Sequence, residues 1–202
     1  MKSFRPKDED DGKDGNGWAD FRGTKRSNET HESKTDPEAK LMRKGSGREA
    51  KLSYCLNAMM ENRNALLVAV QVDAATGYAE REGALEMLDR ELQGDRRVTL
   101  GADKNYDTRD FVRECRRRRV TPHVAQNQYT GRRSAIDGRT TTRPGYATSS
   151  VRRRKIEGIF GWMKTTGNLR KTRFCGIEKT NLLALVTGTA YNLLRIARLV
   201  GP

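Results

Sequence analysis

The chain has 202 residues, enough for one hydrophobic core with an appendage, and a hydrophobic content of 35% leaves part of it outside that core. The net charge of +14 is unevenly placed: residues 111–202 hold 20 Lys and Arg against 4 Asp and Glu, whereas residues 1–110 hold 20 against 22. Clustered cations of that density point to nucleic acid and argue against a membrane partner, since neither end shows an amphipathic anchor or a lipidation signal.

Residues 1–48 are rich in Gly, Lys, Asp, Ser and Thr and predict a polar arm or insertion loop, with 49–202 as the folded domain. The start, Met1-Lys-Ser-Phe-Arg-Pro-Lys-Asp8, lacks the apolar run of a signal peptide, which fits a cytoplasmic protein. The cluster Asp8-Glu9-Asp10-Asp11 reads as solvated, self-repelling acid rather than a metal site. Cys55, Cys115 and Cys175 are odd in number with no CxxC pair, so neither a disulfide framework nor a zinc site is indicated. His31 and His123 stand far apart, without carboxylate or Cys at ligand spacing, as solvated or core histidines.

Ala50 to Met60 and Ala65 to Val72 are apolar runs joined by the turn-forming Glu61-Asn-Arg-Asn64 and predict a β-hairpin. Gly83 to Leu92 has helical periodicity with Gly94 as its stop, and Arg97 to Ala102 reads as a strand. Asp107 is expected to cap a helix ending near Arg118, and Asp103 to sit at the carboxyl end of a strand, where ligand crevices of open α/β sheets form. Val120 to Val124 is a further short strand. Residues 126–149 predict a flexible loop whose Arg132, Arg133, Arg139 and Arg143 suit contact with a phosphate backbone.

Ser150 to Lys164 reads as one helix. At the helical period Arg153, Glu157 and Lys164 share a stripe, beside an apolar arc of Ile156, Ile159, Phe160 and Met163. Such Arg–Glu spacing is also ordinary on solvated helices. A second basic loop follows with Arg170, Lys171 and Arg173. Leu182 to Leu194 is uncharged yet too short to span a bilayer, and reads as part of a buried closing helix, Asn181 to Leu199.

Several segments occur in order: Phe21-Arg-Gly-Thr-Lys-Arg-Ser-Asn-Glu-Thr-His31, Thr35-Asp-Pro37, Gly101-Ala-Asp-Lys-Asn-Tyr-Asp107, Thr121-Pro-His-Val-Ala-Gln-Asn127, Ser134-Ala-Ile-Asp-Gly-Arg139 and Phe160-Gly-Trp-Met-Lys-Thr-Thr-Gly167. With Asp103 and Arg153/Glu157/Lys164 they give a chain that resembles the DDE transposases of bacterial insertion sequences, in the group related to insertion sequences four and five. The resemblance implies an α/β fold, a ribonuclease-H-like mixed sheet flanked by helices. It makes Asp103 the second and Glu157 the third of three acids, and it places the Arg and Lys of the signature Tyr-x2-Arg-x3-Glu-x6-Lys on Arg153 and Lys164. Ser150 stands at the Tyr position. Asn105 stands where the family commonly has Gly, a turn that Asn could hold by adopting positive φ.

By the same resemblance the first acid and its central strand lie upstream of the segment matching Met1 to Lys7, so this chain is expected to lack both. The family binds two Mg²⁺ ions on its three carboxylates, which activate the attacking oxygen and stabilise the leaving one during phosphodiester cleavage and strand transfer. The resemblance therefore implies a transposase fragment that binds double-stranded DNA at terminal inverted repeats, is inactive alone, and associates as a homo-oligomer or with full-length transposase. A non-catalytic DNA-binding regulator of transposition is the alternative, and an RNA-binding accessory protein explains the charge but not the acid–cation order.

Overall fold

A computed structural model describes residues 3–7, 27–43, 45, 47–128 and 133–201. The acidic cluster Asp8 to Asp11, Phe21 to Arg26 of the first quoted segment, and Arg132 lie outside the described residues.

The fold is mixed α/β. The strands are β1 (Phe4–Pro6), β2 (His31–Ser33), β3 (Lys40–Arg43), β4 (Ala50–Met60), β5 (Leu67–Ala74), β6 (Val98–Ala102) and β7 (Val120–Val124). The helices are α1 (Ala79–Glu91), α2 (Arg109–Arg117), α3 (Gly138–Thr141), α4 (Pro144–Arg152), α5 (Lys155–Thr165) and α6 (Ile177–Val200). Part of the stretch expected to be a polar arm is therefore ordered. β1 pairs antiparallel with β2, and β3 pairs antiparallel with the first residues of β4. Alternation explains it: His31 and Ser33 turn inward and Glu32 outward, a half-buried pattern too short to register in so polar a segment.

The hairpin forms as expected, with Leu56 opposite Val72 and Ala58 opposite Val70. Its turn is built by Glu61, whose carboxylate accepts hydrogen bonds from the backbone N–H groups of Arg63 and Asn64. These bonds hold the Glu61 carboxyl below its ordinary range against the opposing effect of desolvation. β6 and β7 are parallel, joined through α2. Among the described residues these strands form separate two- and three-stranded sheets: β6 pairs only with β7, and Tyr54 to Met60 of β4 pair only with β5. A single continuous mixed sheet is thus not what the described residues form.

Two apolar clusters hold the layers together. Leu88 of α1 packs with Phe111, Val112 and Cys115 of α2, Val120 and Val124 of β7, and Ile136. Leu67, Val70 and Val72 of β5 pack with Ile159 and Met163 of α5 and Ala184 of α6. Gly83 lets α1 approach the hairpin: a Cβ there would lie 2.6 Å from Asn57 Nδ2 and 2.7 Å from Asp73 Oδ2, which are hydrogen-bonded to each other. All three cysteines are free, and burial pushes the Cys115 thiol up to about 12.

The closing helix differs from the buried helix expected. α6 runs 24 residues, and by length and mean hydropathy (1.2) it is long and apolar enough to cross a membrane, yet only 17% of its most apolar window is buried. Its inner face is polar where it meets the sheet. Asn181 Oδ1 accepts from the Val72 N–H, Asn192 Oδ1 accepts from the Leu67 N–H, and Asn192 Nδ2 donates to the Leu67 carbonyl. The free edge of β5 is thereby satisfied by side chains of a helix lying along it. At its other end α6 is tied to the Thr35-Asp-Pro37 segment: Asp36 accepts from Tyr54 Oη and the Gly176 N–H, and Glu38 accepts from the Ile177 N–H. Both carboxylates face the positive end of the helix dipole.

Candidate metal and nucleic-acid site

Asp103 follows β6 directly and is exposed at its carboxyl end. Its Oδ1 accepts from the Asn105 N–H at 2.8 Å, closing a single 3-10 turn over Lys104–Tyr106. Asn105 is not among the positive-φ residues, so the expected left-handed turn is replaced by one that any residue could hold. Asp103's second carboxylate oxygen makes no hydrogen bond among the described residues.

Asp107 does not cap the helix as expected. Thr108 does, its Oγ1 accepting from the Phe111 N–H. Asp107 is 2% exposed, and its two oxygens accept from the N–H groups of Asn127 and Ala135 at 2.7 and 2.8 Å. It pins both sides of the segment after β7 to the start of α2. Local signals make every acid here a cap or a ligand, because nothing near Asp107 in the sequence indicates that residues 127 and 135 return to it.

The loop expected over 126–149 is largely helical. Asp137 caps α3 by accepting from the Arg139 N–H, and Pro144 opens α4 at a position where its missing N–H costs nothing. Both start signals are present in the sequence. Arg139 makes a close two-pronged pair with Asp137, which holds that carboxyl below its ordinary range, and Arg143 Nε donates to the Arg139 carbonyl. Arg133 and Arg143 are exposed.

The predicted helix over Ser150 to Lys164 is two helices. α4 ends at Arg152 and α5 begins at Lys155; Arg153 and Arg154 stay right-handed, but hydrogen bonding tightens, with Ile156 N–H to the Arg153 carbonyl and Glu157 N–H to the Arg154 carbonyl. Arg153, Glu157 and Lys164 therefore do not share one continuous helix. The break lets α4 pack on β6 and β7 while α5 turns its Ile156, Ile159 and Met163 onto the hairpin and α6.

At this junction the backbone of β6 meets the helices: a Cβ built on Gly101 would lie 3.5 Å from Arg153 Cβ. The backbone of β6, two residues before Asp103, thus lies against the end of α4, four residues before Glu157. Glu157 is exposed and forms no ion pair with Arg153 or any other described residue. Arg153 Nε is buried and has no hydrogen-bond partner among the described residues. Arg152 and Lys155 reach the other way, donating to the carbonyls of Asn62 and Arg63. Lys164, in the last turn of α5, sets its ammonium 5.5 Å from the centre of the Phe160 ring. Arg170, Lys171 and Arg173 are exposed in the loop before α6.

Not every cation of the basic half is available to a ligand. Arg118 grips Asp89 with Nε and Nη2 at 2.6 and 2.8 Å and Glu114 with Nη1 at 2.7 Å, fastening α2 to α1. Asp89 and Glu114 are both held below their ordinary range by that guanidinium. Arg119 pairs with Asp95.

The oxygen donors of Asp103 and Glu157 suit a hard cation such as Mg²⁺. Among the described residues no group of three His, Cys, Asp or Glu converges as a metal site. Mg²⁺ would supply Lewis-acid stabilisation of a phosphate oxygen. Asp103 and Glu157, both exposed, are the two carboxylates that could hold such an ion.

His123 lies buried under α4, with Nδ1 2.7 Å from Ser149 Oγ and its ring edge-on to Tyr146. Burial first, then nearby Arg143, lowers its pKa below the ordinary 6.5, opposed by the Gly145 backbone. The unfolded chain therefore takes up a proton that the folded chain resists, so this contribution is whole above 6.5 and is lost as pH falls below it. Thermal melts are expected to decline from about pH 7 to about pH 5, and His123→Gln to flatten that part of the profile. The depressed carboxylates, with ordinary values of 3.8 and 4.5, act at lower pH and leave the test readable.

The described residues form a mixed α/β domain in which an exposed acid follows a parallel strand and a run of four cations, Arg152 to Lys155, spans the α4–α5 junction beside that strand. Residues 108–197 match the family model described as transposase DDE domain. The match supports a DDE transposase, and it covers Arg153, Glu157 and Lys164 but stops short of Asp103. No curated protein and no solved structure matches the chain.

The same matched segment contains Gly167, where α5 ends against α6. A Cβ there would lie 2.3 Å from Thr187 Cγ2 and 2.7 Å from the Met163 carbonyl oxygen. Gly167→Ala is expected to destabilise the chain by about 1–3 kcal/mol in denaturant melts, since backbone cannot yield as a side chain can.

Proposed function

We propose that this chain is part of an insertion-sequence transposase that binds double-stranded DNA at terminal inverted repeats, with Asp103 and Glu157 as the second and third metal-binding carboxylates. What supports it is the approach of the Gly101 backbone, two residues before Asp103, to Arg153, four residues before Glu157. The finer fold reading is ribonuclease-H-like, with the β3–β4–β5 and β6–β7 sheets as two flanks of one sheet and a central strand between β4 and β6. Arg153 and Lys164 contact phosphate beside the acids, and Arg132, Arg133, Arg139, Arg143, Arg170, Lys171 and Arg173 hold the DNA backbone. Acting on DNA, the protein works in the cytoplasm, alone as a homo-oligomer or with full-length transposase.

With two acids assigned, cleavage and strand transfer by this chain alone are expected to be negligible with Mg²⁺. Nicking of a terminal-repeat oligonucleotide that persists in Glu157→Gln would sink the assignment of that residue.

DNA binding is expected to fall steeply with salt. Replacing Arg170, Lys171 and Arg173 together by Ala should reduce the slope of log K against log salt by about 0.9 for each phosphate no longer neutralised. An unchanged slope in gel shifts would remove that loop from the interface. The second reading, a non-catalytic regulator, is favoured by the absence of a three-ligand cluster among the described residues. Steep salt dependence with indifference to Glu157→Gln, in binding and in transposition assays with full-length enzyme, would support it.

A further inference from the structure

We propose that the outward face of α6 joins two copies of this chain as an antiparallel helix pair. The inner face of α6 is committed to the β5 edge through Asn181 and Asn192. About a quarter turn round the helix from those asparagines, and opposite the buried Ala184 and Thr187, Leu182, Val186, Leu193, Ile196 and Val200 are 62, 59, 64, 43 and 79% exposed, and no described segment covers them. With Thr189 their spacing alternates four and three residues, the period of a helix-pairing seam, and Leu185 and Leu199 widen it. The uncovered surface of these seven aliphatic residues is on the order of the ~800 Å² that one side of a standard interface buries. A stripe of that size is uncommon on a monomer.

The second copy is the occupant that the sequence of the stripe favours. About Thr189 it reads nearly the same in both directions: Leu182 and Ile196 stand seven residues either side, and Val186 and Leu193 three and four. A two-fold antiparallel pair requires that self-complementarity. It also opposes the two helix dipoles and brings Arg198 of each copy within a turn of Glu178 of the other. A parallel pair would instead align the Arg195 and Arg198 rows of both copies. A bilayer is the competing occupant by length and hydropathy, but a membrane-spanning α6 would have to abandon the hydrogen bonds to Leu67 and Val72.

The test uses the full chain in sedimentation velocity, with flotation on vesicles of neutral and anionic phospholipid. A dimer is expected at roughly tens of micromolar protein, its population set by mass action. Val186→Glu and Leu193→Glu, both at exposed positions, should each shift it to monomer with an unchanged circular-dichroism spectrum. In a Cys175→Ser background, Thr189→Cys should cross-link on mild oxidation, while Leu182→Cys, seven residues off the two-fold axis, should not. A monomeric wild-type chain, a dimer indifferent to both Glu variants, cross-linking through Leu182→Cys, or vesicle binding without dimerisation would each overturn the proposal. None of these outcomes depends on the transposase reading.

Discussion

Replacing Asp107 by Ala is expected to destabilise the folded chain by about 3 kcal/mol or more, the largest effect of any single polar substitution among the described residues. Its carboxylate is 2% exposed and is the acceptor for two backbone N–H groups, those of Asn127 and Ala135. Removing it leaves both donors without their partner inside the protein and leaves a void in place of a buried side chain. Asp107→Asn should recover part of the loss, because an amide oxygen can still accept one of the two bonds. Denaturant melts give the size, and amide exchange gives the place: protection should fall first at Asn127 and Ala135, whose N–H groups lose their acceptor. A loss below about 0.5 kcal/mol, the ordinary surface range, would show that the two bonds do not hold this segment.

Glu157→Gln is expected to abolish divalent-metal binding at the site and, in an assembly with full-length transposase, to lower cleavage by more than the roughly 10–100-fold that loss of a residue behind the ligands costs. Gln keeps the shape and the helix but removes the charge that a hard cation requires. Because Glu157 is exposed and forms no ion pair among the described residues, the variant should melt as the parent does, separating a lost ligand from a lost fold. Asp103→Asn should give the same metal deficit with a small change in stability, since an amide oxygen can still cap Asn105. Broadening of resonances near residues 103 and 157 on titration with Mn²⁺ reads the binding directly. Equal broadening in parent and variants would place the metal elsewhere.

The two acids differ in how the sequence reveals them. Asp103 follows a β-rich run and precedes a capped helix, so its place at a strand end follows from local signals. Glu157 stands out through its helical spacing from Arg153, a spacing the structure breaks between Arg152 and Lys155. The break gives α4 and α5 separate sheets to pack on, and Gly101 fits under the junction. Sequence periodicity cannot register such a break, because Arg153 and Arg154 keep helical dihedrals while their hydrogen bonding shortens by one residue.

Local chemistry settled the hairpin over Ala50 to Ala74, the strands ending at Ala102 and Val124, the capped helix between them, and the charge of the second half. Those features rest on alternation, turn residues and composition, which act between neighbours in sequence. Tertiary structure alone decided the rest. Asp107 is a clasp and not a cap because its partners lie 20 and 28 residues away. Arg118 is a fastener and not a phosphate ligand because Asp89 comes to meet it from α1. One face of α6 is occupied because its asparagines find the open backbone of β5, which lies more than a hundred residues earlier. Each is a polar group satisfied over a long loop, and the partner that satisfies it exists only once the chain has closed.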